Sequence, residues 1–136
     1  MSQRLGIDFQ SVQDVADSLR LFGSDYLESV YDYRERHHAR CHPGSAARYL
    51  AGRFAAREAV LKLLNTLDSF AMWKDIILDD DYGSTTVRLR GHALRLATEW
   101  GLDEIRLCIS STKELAAAVA VADLRLRTDA KGLGQT

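Results

Sequence analysis

The stretch that most limits what this chain can fold into lies between Leu50 and Asn65. Leu50, Phe54, Leu61 and Leu64 fall at i, i+4, i+11 and i+14, which places them on one face of a helix about 20 residues long. Pro43-Gly44 breaks the chain ahead of it, and Ser45 stands where an N-cap belongs. A helix of that length needs a surface to cover. Short apolar runs at residues 5–9, 76–78, 86–89, 105–109 and 116–122 read as strands that can supply one. Asp79-Asp80-Asp81-Tyr82-Gly83 joins two of them as a hairpin, and Ser110-Ser111-Thr112 separates the last two. Val12, Val15, Ala16 and Leu19 have helical spacing, with Gly23 as a stop. Two short helical pieces follow within residues 25–39, and Gly91 to Trp100 forms a further helix stopped by Gly101. The expected order is β-α-α-β-β-α-β-β.

With 136 residues the chain has room for one domain, expected over residues 1–124. Residues 125–136 are polar and show no period, so a flexible C-terminal tail is expected there. Eighteen Lys and Arg against nineteen Asp and Glu give a net charge of −1. Such a chain has no global field to hold nucleic acid or an anionic membrane. Two cysteines, Cys41 and Cys108, lie far apart without CxxC spacing, which argues against a disulfide scaffold and a zinc knuckle and fits a reducing compartment. The apolar run at residues 116–122 is far below the about 20 residues of a membrane span, and no leader-type segment is evident at the N-terminus, so a cytoplasmic location is expected.

Charge is nonetheless uneven. Arginines 34, 36, 40, 48, 53 and 57 face a single acid, Glu35, within residues 34–57, a window of net +5 that also holds His37, His38 and His42. Clustered guanidinium groups suit phosphate oxygens, although a solvated helix face explains the same composition. Asp8 interrupts an apolar strand, where a carboxylate is costly unless it is hydrogen-bonded, paired or bound to a cation. Glu58 lies roughly 40–60° from Phe54 and Leu61 on the helix, bordering the core. Lys62 follows it at i+4, which by itself is an ordinary helix pair. Taken together, a strand carboxylate, a helix carboxylate, a neighbouring ammonium and nearby arginines form a set that can hold Mg²⁺ on a diphosphate.

These residues sit in recognisable company. Gly6-Ile7-Asp8, the segment LAGRFAAREAVLK at 50–62, WKDI at 73–76 and VRLRGHA at 87–93 resemble the holo-[acyl-carrier-protein] synthase branch of the 4′-phosphopantetheinyl transferases. The resemblance extends over about residues 5–122. It implies an α+β 4′-phosphopantetheinyl transferase fold, with one lobe per chain and the long helix packed on a small, mainly antiparallel sheet. It also implies a homotrimer with active sites at subunit interfaces. The implied reaction is Mg²⁺-dependent transfer of 4′-phosphopantetheine from coenzyme A to a serine of an apo acyl or peptidyl carrier protein, releasing 3′,5′-ADP. By motif match Asp8 and Glu58 ligate the metal, Lys62 contacts phosphate or assists deprotonation of the serine, and Arg53 meets the phosphates of the adenosine end. Arg48, Ser110 and Ser111 are the further candidates for coenzyme A.

Several positions depart from that pattern. An acid three residues after the aspartate is replaced by Ser11. Arg57 stands where lysine is common, and Ser110-Ser111 stands where many members carry Ser-His. Residues 9–33 hold Arg20 against Asp14, Asp17, Asp25, Glu28 and Asp32, net −4, which opposes docking on an acidic carrier and suggests a specialised one. A non-catalytic paralogue that binds or regulates a carrier is the rival reading, followed by a Mg²⁺-dependent nucleotide phosphatase. Trp73 and Trp100 are expected to pack rather than stack on a cofactor. The three histidines lack a carboxylate that would complete a zinc site, and Cys108 is expected to be buried.

Overall fold

The computed structural model describes residues 2–66 and 69–125. It begins with strand β1 (Ser2–Ser11), helices α1 (Val12–Val30) and α2 (Tyr33–Cys41), a 3-10 turn at Pro43–Ser45, and the long helix α3 (Ala46–Leu64). There follow the short α4 (Ser69–Met72), a second 3-10 turn (Trp73–Asp75), β2 (Ile76–Asp81), β3 (Ser84–Leu89), α5 (Gly91–Trp100), β4 (Arg106–Ser111) and β5 (Leu115–Leu124). Most of the expected tail lies outside the described residues. No helix among those described is long and apolar enough to cross a membrane.

Two antiparallel sheets form, one of three strands in the order β1-β5-β4 and a β2-β3 hairpin. Tyr82 and Gly83 both take positive φ, 48° and 82°, so the hairpin closes in the tight mirror-image turn that matches strand twist. Thr112 closes the β4–β5 turn by donating its N–H to the Leu115 carbonyl. Ser110 and Ser111 therefore belong to strand β4 and not to the separator expected from sequence.

Helix α3 is buried on nearly every side, where the sequence spacing suggested one apolar stripe. Alanine and glycine make this possible: with little side chain in the way, backbones approach closely. Gly6 of β1 lies against α3 so tightly that a Cβ there would overlap the Ala59 carbonyl and come within 2.7 Å of the Leu63 nitrogen. Ala116, Ala118, Ala120 and Ala122 of β5 form the rest of the flat seat beneath the helix. The sheet's other face is open: Leu5, Ile7, Phe9, Leu115 and Val119 are exposed, Phe9 to 62%. Cys108 lies on this face, opposite Val119, and is exposed, correcting the expectation of a buried thiol. The alternation of a strand decides this, since Leu107 and Ile109 take the inward positions.

Gly23 interrupts the first helix as expected: with φ 52° and ψ −127°, a conformation open to a residue without Cβ, it separates two helical segments within Val12–Val30 by a kink. Ser45 precedes α3 but makes no side-chain cap. Ser11 does cap, its Oγ accepting from the Asp14 N–H at 3.1 Å, which gives that departure from the family motif a structural task.

Candidate active site

Charged side chains collect on two flanks of α3. On the first, β1 carries Asp8 inward, and α3 presents Glu58 and Lys62 one turn apart. Lys62 Nζ donates to Asp8 Oδ1 at 2.9 Å and to the Ile7 carbonyl at 3.1 Å. Glu58 is half-buried and forms no hydrogen bond or ion pair with any described residue. Burial raises its carboxyl pKa, the nearby Asp8 adds to the rise, and Lys62 partly offsets it. Glu58 also lines a cavity of about 290 Å³ with Ser29, Val30, Phe54, Trp73 and Lys74. Trp73 packs against Phe54, with ring centroids 4.9 Å apart, and its indole N–H donates to the Val30 carbonyl at 2.7 Å; it serves as wall and as tie.

On the second flank, Arg48, Tyr49, Arg53, Asp80, Thr85 and Ser111 line a cavity of about 230 Å³. Arg48 Nε donates to Ser111 Oγ at 2.9 Å, and its Nη2 to the Ser111 carbonyl at 2.7 Å. Arg53 is only 4% exposed. Its guanidinium donates to Tyr49 Oη, Thr85 Oγ1 and Asp80 Oδ2 and lies 3.4 Å from Glu35 Oε2. Thus three of the four residues expected at coenzyme A share one cavity. Ser110 does not join them, because alternation along β4 sends it to the open sheet face.

Beneath this cavity lies a residue that sequence reasoning missed as functional support. Glu35 is 1% exposed and receives Arg57 through both oxygens, at 2.9 and 2.8 Å, while Arg57 Nε donates to the Ile76 carbonyl at 3.3 Å. One acid among six arginines was the available signal. Asp32 and Glu35 also form a reciprocal capping box that starts α2, a pattern visible as D-x-x-E in the sequence. The basic window is therefore only in part a solvated face: Arg34, Arg40 and Arg48 are exposed, but Arg53 and Arg57 are not. Arg53 and Arg57 are buried and paired, Arg34 donates to Asp79 at 2.8 Å, and Arg48 to Ser111.

The two flanks belong to one substrate only if a molecule bridges them. Within one chain α3 lies between: Asp8 is on β1, Ser111 on β4, and β5 separates these strands beneath the helix.

An α+β fold with an acid pair on one side of a central helix and an arginine-lined cavity on the other is that of a phosphopantetheinyl-group transferase, and residues 4–120 match the family model described as 4′-phosphopantetheinyl transferase superfamily. A holo-[acyl-carrier-protein] synthase of Halothermothrix orenii is 34% identical over 124 residues, covering 90% of this chain and 98% of that protein. One from Caldanaerobacter subterraneus is 35% identical, covering 87% and 92%. Among solved structures, the Chronobacterium ammoniagenes ACPS–CoA complex superposes with a TM-score of 0.76 at 28% identity, covering 93% of this chain and all of that one. The Bacillus anthracis enzyme in complex with CoA (3′,5′-ADP) gives 0.71 at 26%, covering 90% and 96%. The chain belongs to the holo-[acyl-carrier-protein] synthase family.

Proposed function

We propose that this enzyme moves 4′-phosphopantetheine from coenzyme A to a serine hydroxyl of an apo carrier protein in a Mg²⁺-dependent reaction, releasing 3′,5′-ADP. The single observation that carries the metal reading is Glu58, a half-buried carboxylate with no hydrogen-bond partner among the described residues, beside Asp8. Two hard oxygen donors suit Mg²⁺, which leaves the remaining positions to substrate phosphate and water. Bound there, the metal would neutralise the diphosphate and polarise it toward attack.

The chain's own groups divide the rest of the work. Lys62, 53% exposed at its side chain, is the resident cation on Asp8; displaced from it, the ammonium is free to meet phosphate charge or to assist the serine as it loses its proton. The serine oxygen attacks the β-phosphorus and the bond to the bridging oxygen breaks. Arg48 is the accessible cation of the second cavity and meets the adenosine-end phosphate, with Arg53 behind it. The mostly apolar walls beside Glu58, Val30, Phe54 and Trp73, suit the pantetheine arm.

Because α3 separates the two flanks, the complete site is built between chains, the second flank of one facing the first of another. The exposed apolar sheet face of Leu5, Ile7, Phe9, Leu115 and Val119 supports such an assembly, read here as a homotrimer. The location is proposed to be cytoplasmic, where coenzyme A and carrier proteins meet. Asp14, Asp17, Asp25 and Glu28 on α1 oppose an acidic partner, so the acceptor is proposed to be a carrier that is not acidic where it meets this helix.

The test is intact mass of apo carrier proteins, acidic and less acidic, incubated with the enzyme, coenzyme A and Mg²⁺, with a broad-specificity transferase alongside to show that each carrier can be modified. A mass gain of one phosphopantetheine, lost in Asp8→Ala and Glu58→Ala, supports the reading. Reversing Asp14 and Asp17 to Lys is expected to raise transfer to the acidic carriers several-fold, in line with charge-steered encounter. Silence on every carrier the control modifies favours the non-catalytic, carrier-binding reading.

A further inference from the structure

Behind Trp73 lies a second, smaller cavity, of about 200 Å³, between the end of α1, the start of α2 and β2. It shares Val30, Trp73 and Lys74 with the cavity that holds Glu58. Its wall has a peculiarity: Arg36 Nε is buried and has no hydrogen-bond partner, while Arg36 Nη1 donates to the Tyr31 carbonyl at 2.7 Å. A buried guanidinium N–H without an acceptor is costly and calls for a ligand or water that completes it.

The other lining charges sharpen what that acceptor is. Lys74 and Arg90 are exposed at the same cavity, and neither side chain has a partner among the described residues. Arg57 also lines it but is neutralised by the buried Glu35. Two carboxylates are present. Asp32 is occupied, accepting from the Glu35 N–H at 2.9 Å, and Glu28 is exposed on α1. Arg36, held through Nη1 alone, and Lys74 and Arg90, unpaired among the described residues, therefore line a space ample for one tetrahedral oxyanion. The guanidinium and ammonium groups offer the N–H donors that phosphate oxygens take.

We infer that this cavity binds an oxyanion of the phosphate class, with Arg36 Nε as its buried donor and Lys74 and Arg90 closing over it. Because Trp73 and Lys74 wall both cavities, occupancy here changes the surroundings of Glu58. The site is separate from the Arg48–Ser111 cavity and does not depend on how the transfer reaction itself is read.

The experiment is titration with inorganic phosphate at ionic strength held constant with chloride. The protein carries Trp100→Phe, which leaves Trp73 as the only indole. The expected result is a saturable change in Trp73 fluorescence. Arg90→Ala, an exposed change, and Arg36→Lys, which keeps charge but removes Nε, should each raise the half-saturating concentration at least fivefold, with the thermal midpoint of Arg90→Ala unchanged. Arg48→Ala should leave it where it was. A parallel titration with 3′,5′-ADP separates the sources: tighter binding of phosphate identifies a free ion, tighter binding of 3′,5′-ADP identifies the phosphoryl group of a nucleotide, and loss with Arg90→Ala is required in both cases. No saturable change, an unchanged midpoint of titration in Arg90→Ala, or loss with Arg48→Ala alone would overturn the inference.

Discussion

The two flanks of α3 both carry charges of either sign and treat them in opposite ways. On the Arg53–Arg57 flank, each guanidinium is matched: Glu35, Asp80, Thr85, Tyr49 and the Ile76 carbonyl absorb their donors, and the side chains are almost wholly buried. On the Asp8–Glu58 flank the pairing is thin. Asp8 has one exposed lysine, and Glu58 has no hydrogen bond or ion pair among the described residues. A buried ion pair costs desolvation that only good geometry offsets, so a chain that completes one set of charges and leaves the next residue bare is separating architecture from chemistry. Arg57 and Glu58 are adjacent in sequence and stand on the two sides of that division.

The contrast can be broken most forcefully from the matched side. Glu35→Gln removes the charge facing two buried guanidinium groups and should cost about 3–5 kcal/mol, read as a large fall in the denaturant midpoint. If stability barely moves, the flank is not the architectural one. Glu58→Gln should do the reverse, lowering transfer about 100-fold while leaving stability unchanged or slightly raised. The sign follows from the raised carboxyl pKa: burial and Asp8 favour the neutral form, so a neutral glutamine removes a strain that is present once pH exceeds that pKa. For the same reason the Mg²⁺ concentration needed for half-maximal transfer should rise as pH falls, starting above the ordinary glutamate range. A flat metal requirement down to that range would mean that Glu58 is not a ligand. The smallest effect belongs to a residue on neither flank. Asp75 accepts from the His92 and Ala93 N–H groups at 3.0 and 3.3 Å, capping α5, which has no side-chain cap of its own. Asp75→Ala should cost about 1 kcal/mol and leave transfer intact.

The proximity of Asp8, Glu58 and Lys62 was legible in one dimension, because helix period and motif order put them together with little help from the rest of the fold. What sequence could not show depended on which chain segment would come to rest against α3. Leu50 to Leu64 reads as a striped helix, yet Ala51, Ala55, Ala56 and Ala59 let neighbours close in from every side. Basic residues look solvated until an acid such as Glu35 is placed within reach by a separate helix. Residues 5–9 look like a core strand, but Gly6 and Asp8 take the inward positions and turn Leu5, Ile7 and Phe9 outward. Ser110 and Cys108 share that lesson: a one-residue step in a strand reverses the side it serves.

The Glu35–Arg57 pair has a consequence beyond holding α2 to α3. Successive residues on a helix differ in azimuth by about 100°. Arg57 is gripped at both carboxylate oxygens and at the Ile76 carbonyl, so α3 cannot roll about its own axis without breaking all three contacts. The direction in which Glu58 points is thereby keyed by its neighbour, as a shaft is keyed to a wheel. Loosening that key would cost the stability expected for Glu35→Gln and would also free the bearing of the Glu58 carboxylate, so that the proposed metal site would suffer a rotational error even while circular dichroism still reported an intact helix.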